Sequence, residues 1–441
     1  MNEQELEKLQ RQYDNSPFPQ VSLERSPRQE ADLNVLFCHS LVTPYYLQNQ
    51  QPIDTAGAVI LDAGCGTGYT SLCLAEANPG ARIVGIDLSP ESVKLAGPRL
   101  AYHGHTNAEF HALSIDDLPQ LGLRFDYINC DEVLYLLPDP MAGLRAMKSV
   151  LKPHGIIRAN LHSIYQRQEM YRAQELFRTM GLLDDTPGEM EAELVISVMA
   201  ALKDQVSLKR QTWDRATETS RNIESILVNQ LLQGDKGYTV PDLFRMLAQA
   251  DLEFISMMMW RHWELLDLFK NADDLPPFLA MSLPGLSTEE RLHLFELLHP
   301  VNRVLDFWCA HAGQSHSPTP LAEWDGATWD HATIQLHPLL QTPSIRDHLR
   351  QCAQQHRAFE WSHYMPMPTD RPVLMESGEA ASFLPLWDGP QTLAALTDRW
   401  LQLNPVDPVT LEPTDRQIAR NRMQTLIGYL ESFLYLLVEQ R

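Results

Sequence analysis

The chain predicts an α/β fold: a doubly wound, mostly parallel sheet interrupted by a helical insertion and followed by a mainly α C-terminal domain. Three observations predict it. A turn with glycines at 64, 66 and 68 joins a short apolar strand to a helix-compatible segment. Strand-like and helix-like runs then alternate to about residue 160. Beyond residue 161 the alternation gives way to apolar positions at three- and four-residue spacing, with few glycines, as far as residue 232.

The first strand is expected over 58–61 and its helix over 67–77. A second strand covers 82–86. Ser89 caps the next helix, with Pro90 at its first position, where the missing N–H costs nothing. Strands three and four are expected over 109–113 and 125–129, a helix over 140–151, and a fifth strand over 155–160. This order gives parallel pairing with helices on both faces. Residues 163–235 read as an insertion, either a cover over the ligand pocket or an oligomerisation arm. After the turn at 234–237, residues 238–259 read as a capped helix, a turn and a strand that resumes the sheet. Pro276-Pro277 and Pro284-Gly285 mark a linker. Mainly helical sequence runs on to about 315, and 314–345 reads as loop. Near the end, an Asp-Gly turn, a Thr-capped helix and a long helix over 414–439 look like a small winged-helix-type module. The expected division is 1–275 (with an N-terminal cap, 1–55), 276–380 and 381–441.

Residues 59–68 read Val-Ile-Leu-Asp-Ala-Gly-Cys-Gly-Thr-Gly. A glycine turn at a helix N-terminus lets backbone approach a ligand and makes a nucleotide cradle. Asp87, roughly 20 residues on at the end of the next apolar run, is placed to accept both hydroxyls of a ribose. A dinucleotide fingerprint runs G-x-G-x-x-G, whereas Gly64, Gly66 and Gly68 alternate behind an acid, Asp62. This combination resembles motif I of the class I S-adenosylmethionine-dependent methyltransferases, whose domain is Rossmann-like. The resemblance extends over about residues 55–165 and 238–262. It implies S-adenosyl-L-methionine as cofactor and S-adenosyl-L-homocysteine as product. The C-terminal module is similar to accessory modules of some bacterial methyltransferases, including the rickettsial protein lysine methyltransferases.

The resemblance also implies roles. Gly64, Cys65, Gly66 and Gly68 would pass the backbone close to the methionine part and ribose, and Asp62 would orient that loop and the cofactor amine. Asp87 would hold the ribose hydroxyls, with Leu88 against the adenine. Ser114 and Ile115 occupy adenine-contacting positions, with Ser114 where the family often has Asp. Cys130, after the fourth strand, stands where backbone contacts to the methionine part are usual. The Asn/Asp-Pro-Pro-Tyr/Phe motif of amide and exocyclic-amine methylases is absent from 129–135, and the position of the usual small-molecule base is Leu136. Candidate acceptor-side groups are Asp131, Glu132, Tyr135, His162 and Tyr165. Glu132 is a candidate base if burial raises its pKa, or else an anchor for the following helix. His162 is a candidate base or a structural histidine, and Tyr135 a substrate contact or core. The segment 13–19, Tyr-Asp-Asn-Ser-Pro-Phe-Pro, either folds over the cofactor or forms a surface strap.

A net charge of -22 argues against nucleic acid as partner, since phosphate neutralisation needs clustered Lys and Arg. Six scattered cysteines without a CxxC pair, and no HExxH motif, argue against a metal site and for reduced thiols in the cytoplasm. The charged N-terminus lacks the apolar run of a signal peptide, and no run approaches membrane-span length. The expected partner is a methyl acceptor, a protein side chain or a small molecule. The apolar stripe of the closing helix suits docking within the chain or in a homodimer.

Overall fold

The computed structural model describes residues 3–29, 33–213, 222–314, 319–365, 372–407 and 410–440. Parts of the expected insertion (214–221) and of the expected loop (315–318) lie outside the described residues. The chain forms two compact units. The first comprises Met1–Arg25, Gly57–Ala75 and Ala81–Gln314; the second comprises Ser26–Ala56, Glu76–Gly80 and Ser315–Arg441. The doubly wound fold therefore reaches residue 314 rather than 275, and the expected cap 1–55 divides between the units at Arg25.

In the first unit the strands are β1 (Val59–Ala63), β2 (Arg82–Asp87), β3 (Ala108–Ala112), β4 (Phe125–Cys130), β5 (Leu151–Ser163), β6 (Gly237–Tyr238), β7 (Leu252–Met257) and β8 (Val304–His311). They pair in the order β3-β2-β1-β4-β5-β8-β7, with β6 beside the end of β5. Pairing from β3 to β5 is parallel, and β8 runs antiparallel to both neighbours. The order reverses between β1 and β4, where Asp62 lies opposite Asn129. Ile60, Leu61, Val84, Ile128, Ile157 and Leu161 are fully buried. Strands covered on both faces read as such near-continuous apolar runs.

Local signals set the helices as expected. The Ser89 side chain accepts from Ser92 N at the start of Pro90–Tyr102, and Thr239 and Asp242 form a capping box at the start of Val240–Gln249. The insertion forms helices Gln168–Thr179, Glu189–Ala201, Ser207–Thr212 and Ile223–Leu227 around its own apolar cluster, which includes Phe177, Val195, Met199 and Ile226.

Strand β8 is a correction, since mainly helical sequence was expected there. Its apolar run at Leu305, Phe307, Trp308 and Cys309 was the available signal, but its partners β5 and β7 lie far away in sequence. β5 is also longer than expected, because β8 pairs along it as far as His162.

The second unit has a three-stranded antiparallel sheet ordered β12-β9-β13, from β9 (Ala332–Leu336), β12 (Gln391–Thr392) and β13 (Leu436–Gln440). It also has a two-stranded pair, β10 (Phe359–Glu360) with β11 (Leu374–Met375). The expected loop 314–345 thus contains β9. The closing helix also needs correction: it spans Arg416–Glu431, not 414–439. Leu434 takes a left-handed φ of 56°, and Leu436, Leu437 and Val438 bury their side chains as β13. Helical spacing in that apolar run could not separate helix from a fully buried strand. Among the described residues no helix is long and apolar enough to cross a membrane.

Candidate active site

A cavity of about 440 Å³ opens beyond the carboxyl ends of β1, β2, β3 and β4. Its floor carries Gly64, Cys65 and Gly66 after β1, Asp87 and Leu88 at β2, Leu113 to Asp116 after β3, and Asp131 to Val133 after β4. Tyr13, Phe18 and Pro19 of the N-terminal segment line it as well, with Val228, Asn229 and Leu232 of the insertion and Arg303 just before β8. Its size is typical of a small-molecule site.

The glycine loop is shaped by the chain's own backbone. Gly66 has φ +50°, and a Cβ there would stand 2.2 Å from the Phe18 carbonyl oxygen. Gly64 has φ +92°, and a Cβ would meet Val133 Cγ2 at 2.2 Å. The N-terminal segment is tied to the same loop. Thr67 N donates to Phe18 O at 3.0 Å and Thr67 Oγ1 to Pro19 O at 2.7 Å. The helix Glu3–Asn15 adds Gln10 Nε2 to Leu88 O and Gln12 Nε2 to Leu227 O, joining the β2 side to the insertion.

Asp87 accepts from Gly66 N and Ser89 N, both at 2.8 Å. Burial raises its pKa, and these two bonds pull it back. A carboxylate has about four lone-pair sites, so Asp87 keeps capacity for a ligand diol. Asp62, by contrast, is 1 % exposed and does not line the cavity. Its oxygens are taken by Ser71 Oγ at 2.6 Å and Asn129 Nδ2 at 2.9 Å, and burial raises its pKa to about 6. Gly68 faces Ala96 of the helix Pro90–Tyr102, and Cys130 is fully buried; neither lines the cavity. Cys65, Leu88, Ser114 and Ile115 do. The Ser114 hydroxyl accepts from Asp116 N, capping the short helix Ile115–Leu121.

On the other side of the cavity, Glu132 sits at φ +58°, uncommon for a side-chain-bearing residue and worth about 1–3 kcal/mol of strain. Its N–H donates to Asn160 Oδ1 at 2.9 Å, which helps hold it there. Arg303 makes a two-pronged ion pair with its carboxylate, and Tyr135 OH donates to Oε2 at 2.7 Å. Burial alone would raise its pKa, but the paired Arg303 guanidinium and the Tyr135 hydrogen bond hold it well below the usual carboxylate range. Glu132 therefore does not meet the raised-pKa condition set for it as a general base.

His162 is 1 % exposed and absent from the cavity wall. Its Nδ1 meets Asp235 Oδ1 at 2.6 Å and its Nε2 meets Arg303 Nη1 at 2.8 Å, while the ring stacks on Tyr135 at 3.7 Å between centroids. With Arg303 donating to Nε2, the neutral tautomer carries its proton on Nδ1 and has no lone pair left for substrate. Tyr165 also lies off the cavity wall, whereas Tyr135 lines it. Sequence reasoning missed Arg303, whose only signal was its place before the unrecognised strand β8.

Beneath this side lies a buried polar chain. Arg158 on β5 donates to Asp306 on β8 at 2.8 and 3.1 Å, to Asn129 at 3.2 Å and to Asp131 at 3.2 Å. Asn160 Nδ2 donates to Asp131 Oδ1 at 2.7 Å.

The donor set suits S-adenosyl-L-methionine. Asp87, Asp116, Asp131 and Glu132 face the cavity against one lining cation among the described residues, Arg303, an excess of negative charge that complements a sulfonium ligand. The strand order, the glycine loop and this cavity define a class I S-adenosylmethionine-dependent methyltransferase domain with a Rossmann-like sheet. Residues 54–230 match the family model of a methyltransferase domain. An uncharacterised protein of Synechococcus sp. is 30 % identical over 268 residues, 60 % of this chain and 62 % of that protein. A ubiquinone biosynthesis O-methyltransferase of Xanthomonas axonopodis pv. citri is 41 % identical over 105 residues, 23 % of this chain and 42 % of its own length. The chain thus spans less than two thirds of either relative. The solved structure of PKMT2 from Rickettsia typhi is similar in fold at 16 % identity, with TM-score 0.59, covering 91 % of this chain and 74 % of that one.

Proposed function

We propose that this chain methylates an acceptor nitrogen, on a protein side chain, using S-adenosyl-L-methionine. The observation that carries the cofactor half of this reading is Asp87, facing the cavity beside the bare backbone of Gly64 and Gly66. Asp87 would hold the ribose hydroxyls, Leu88, Ser114 and Ile115 would border the adenine, and Gly64 to Gly66 would border the rest. When bound, the cofactor supplies an already activated methyl group. The chain's own residues then need to align the acceptor and exclude water. The N-terminal segment at Tyr13 and Phe18, and the insertion at Val228 and Leu232, supply that enclosure.

The acceptor side supports nitrogen over a phenol or alcohol. A hydroxyl needs its proton removed, yet Glu132 is locked to Arg303 and His162 Nε2 is occupied. An amine can arrive neutral after losing its proton to solvent. A protein acceptor is favoured by likeness in fold to PKMT2 across 91 % of the chain, well beyond the cofactor-binding half. The ubiquinone enzyme resembles only 105 residues of the chain, 23 % of it, and so bears less on the acceptor. A small-molecule acceptor is the second reading, and a silent cofactor-binding scaffold the third. Six free cysteines suit a reducing, cytoplasmic setting.

The test supplies methyl-labelled cofactor with cell extract and separates protein from small molecules. Label recovered as N-methylated residues after protein hydrolysis supports the proposal. Label in the small-molecule fraction favours the second reading. Cofactor binding without transfer to either fraction favours the third.

A further inference from the structure

In a doubly wound sheet the ligand lies across the point where the strand order reverses, here between β1 and β4. Asp87 and Ser114 occupy the β2 and β3 side, where the adenosine end is proposed to sit. The amino-acid end then falls toward β4. The family resemblance would give its ammonium to Asp62, but both oxygens of Asp62 are bonded inside the protein and neither reaches the cavity. On the β4 side two acids line the cavity, and Glu132 is engaged through both oxygens by Arg303.

Asp131 is different. Its Oδ1 takes both protein hydrogen bonds, from Asn160 at 2.7 Å and Arg158 at 3.2 Å. Its Oδ2 has no protein donor among the described residues, and its side chain is 25 % exposed at the cavity wall. We infer that Asp131 Oδ2 receives the α-ammonium of the cofactor's methionine part, an assignment that rests on the cofactor reading above. Arg158 and Asn160 are positioning residues: by holding Oδ1 they aim Oδ2 into the cavity. Arg158 is held in turn by Asp306 on β8. Neutralising residue 131 therefore leaves that guanidinium paired.

Asp131→Asn is the discriminating variant, because an asparagine can keep its carbonyl toward Arg158 and Asn160 while turning an NH2 toward the cavity. Calorimetric titration compares S-adenosyl-L-homocysteine with 5′-methylthioadenosine, which has the adenosine and sulfur but no amino acid. The variant is expected to bind S-adenosyl-L-homocysteine on the order of ten- to a hundredfold more weakly, with 5′-methylthioadenosine unchanged. Retained 5′-methylthioadenosine binding also shows that the variant is folded. Asp131→Ala is expected to discriminate in the same sense. Equal loss for both ligands, or no loss for either, overturns the assignment. If the unaltered protein binds neither ligand, the cofactor reading fails first and this inference falls with it.

Discussion

The two sides of the cavity are built in opposite ways. The loop side, Gly64 to Gly68 with Asp87, comes from one continuous strand–turn–helix–strand segment. The opposite side draws Glu132 with Tyr135, His162, Asp235 and Arg303 from four separate segments. Their carboxylates also respond oppositely: burial raises Asp62, whereas ion pairing and hydrogen bonds depress Glu132. A local motif can tolerate a buried acid held by neutral donors. An assembled site holds its acid as a charge, because a guanidinium has been brought to it.

The largest effect expected is on the loop side. Gly66→Ala forces a left-handed alanine against the Phe18 carbonyl, and thermal unfolding should show a loss of about 3 kcal/mol or more. A loss below about 1 kcal/mol would mean that the N-terminal segment is not seated on the loop. Asp62 tests the opposing pH responses. Its folded pKa is about 6, above the ordinary 3.8, so the folded chain binds that proton more tightly. Its contribution to stability is full below the ordinary value and is lost as pH rises through 6, on the order of 2–3 kcal/mol in all. Asp62→Asn should flatten that slope in denaturant titrations between pH 4 and 8.

Asp87→Ala should weaken S-adenosyl-L-homocysteine binding by about 1–3 kcal/mol in calorimetry, and unchanged affinity would remove the ribose assignment. On the acceptor side, Arg303→Ala should cost about 1–2 kcal/mol at neutral pH, a modest figure because the guanidinium is half exposed. The Glu132 pKa is depressed, so its stabilisation is present above the ordinary carboxylate value and is lost as pH falls through the folded one. Without Arg303 that acid loss should be smaller and should end at a higher pH. Ser114→Ala is the mildest change, about 0.5–1 kcal/mol from a lost cap, with cofactor affinity unchanged if its hydroxyl serves only that cap.

Sequence alone determined the parallel half of the sheet, because each of its elements announces itself within a short window. The alternating glycines, the Ser89 and Thr239 caps and the apolar strands are local choices that agree with one another. It likewise placed Cys65, Asp87, Leu88, Ser114 and Ile115 at the cavity, since residues that follow strand ends in this topology share one edge. Tertiary structure decided the rest. Whether Leu436 to Gln440 would be helix or strand depended on β9, a partner about 100 residues earlier that no local window contains. Whether Glu132 would be a base or a paired anion depended on Arg303, and whether Asp62 or Asp131 would line the cavity depended on how Ser71, Asn129, Asn160 and Arg158 hold them. Protonation and access belong to three-dimensional neighbours, and those are set by packing between distant segments rather than by spacing along the chain.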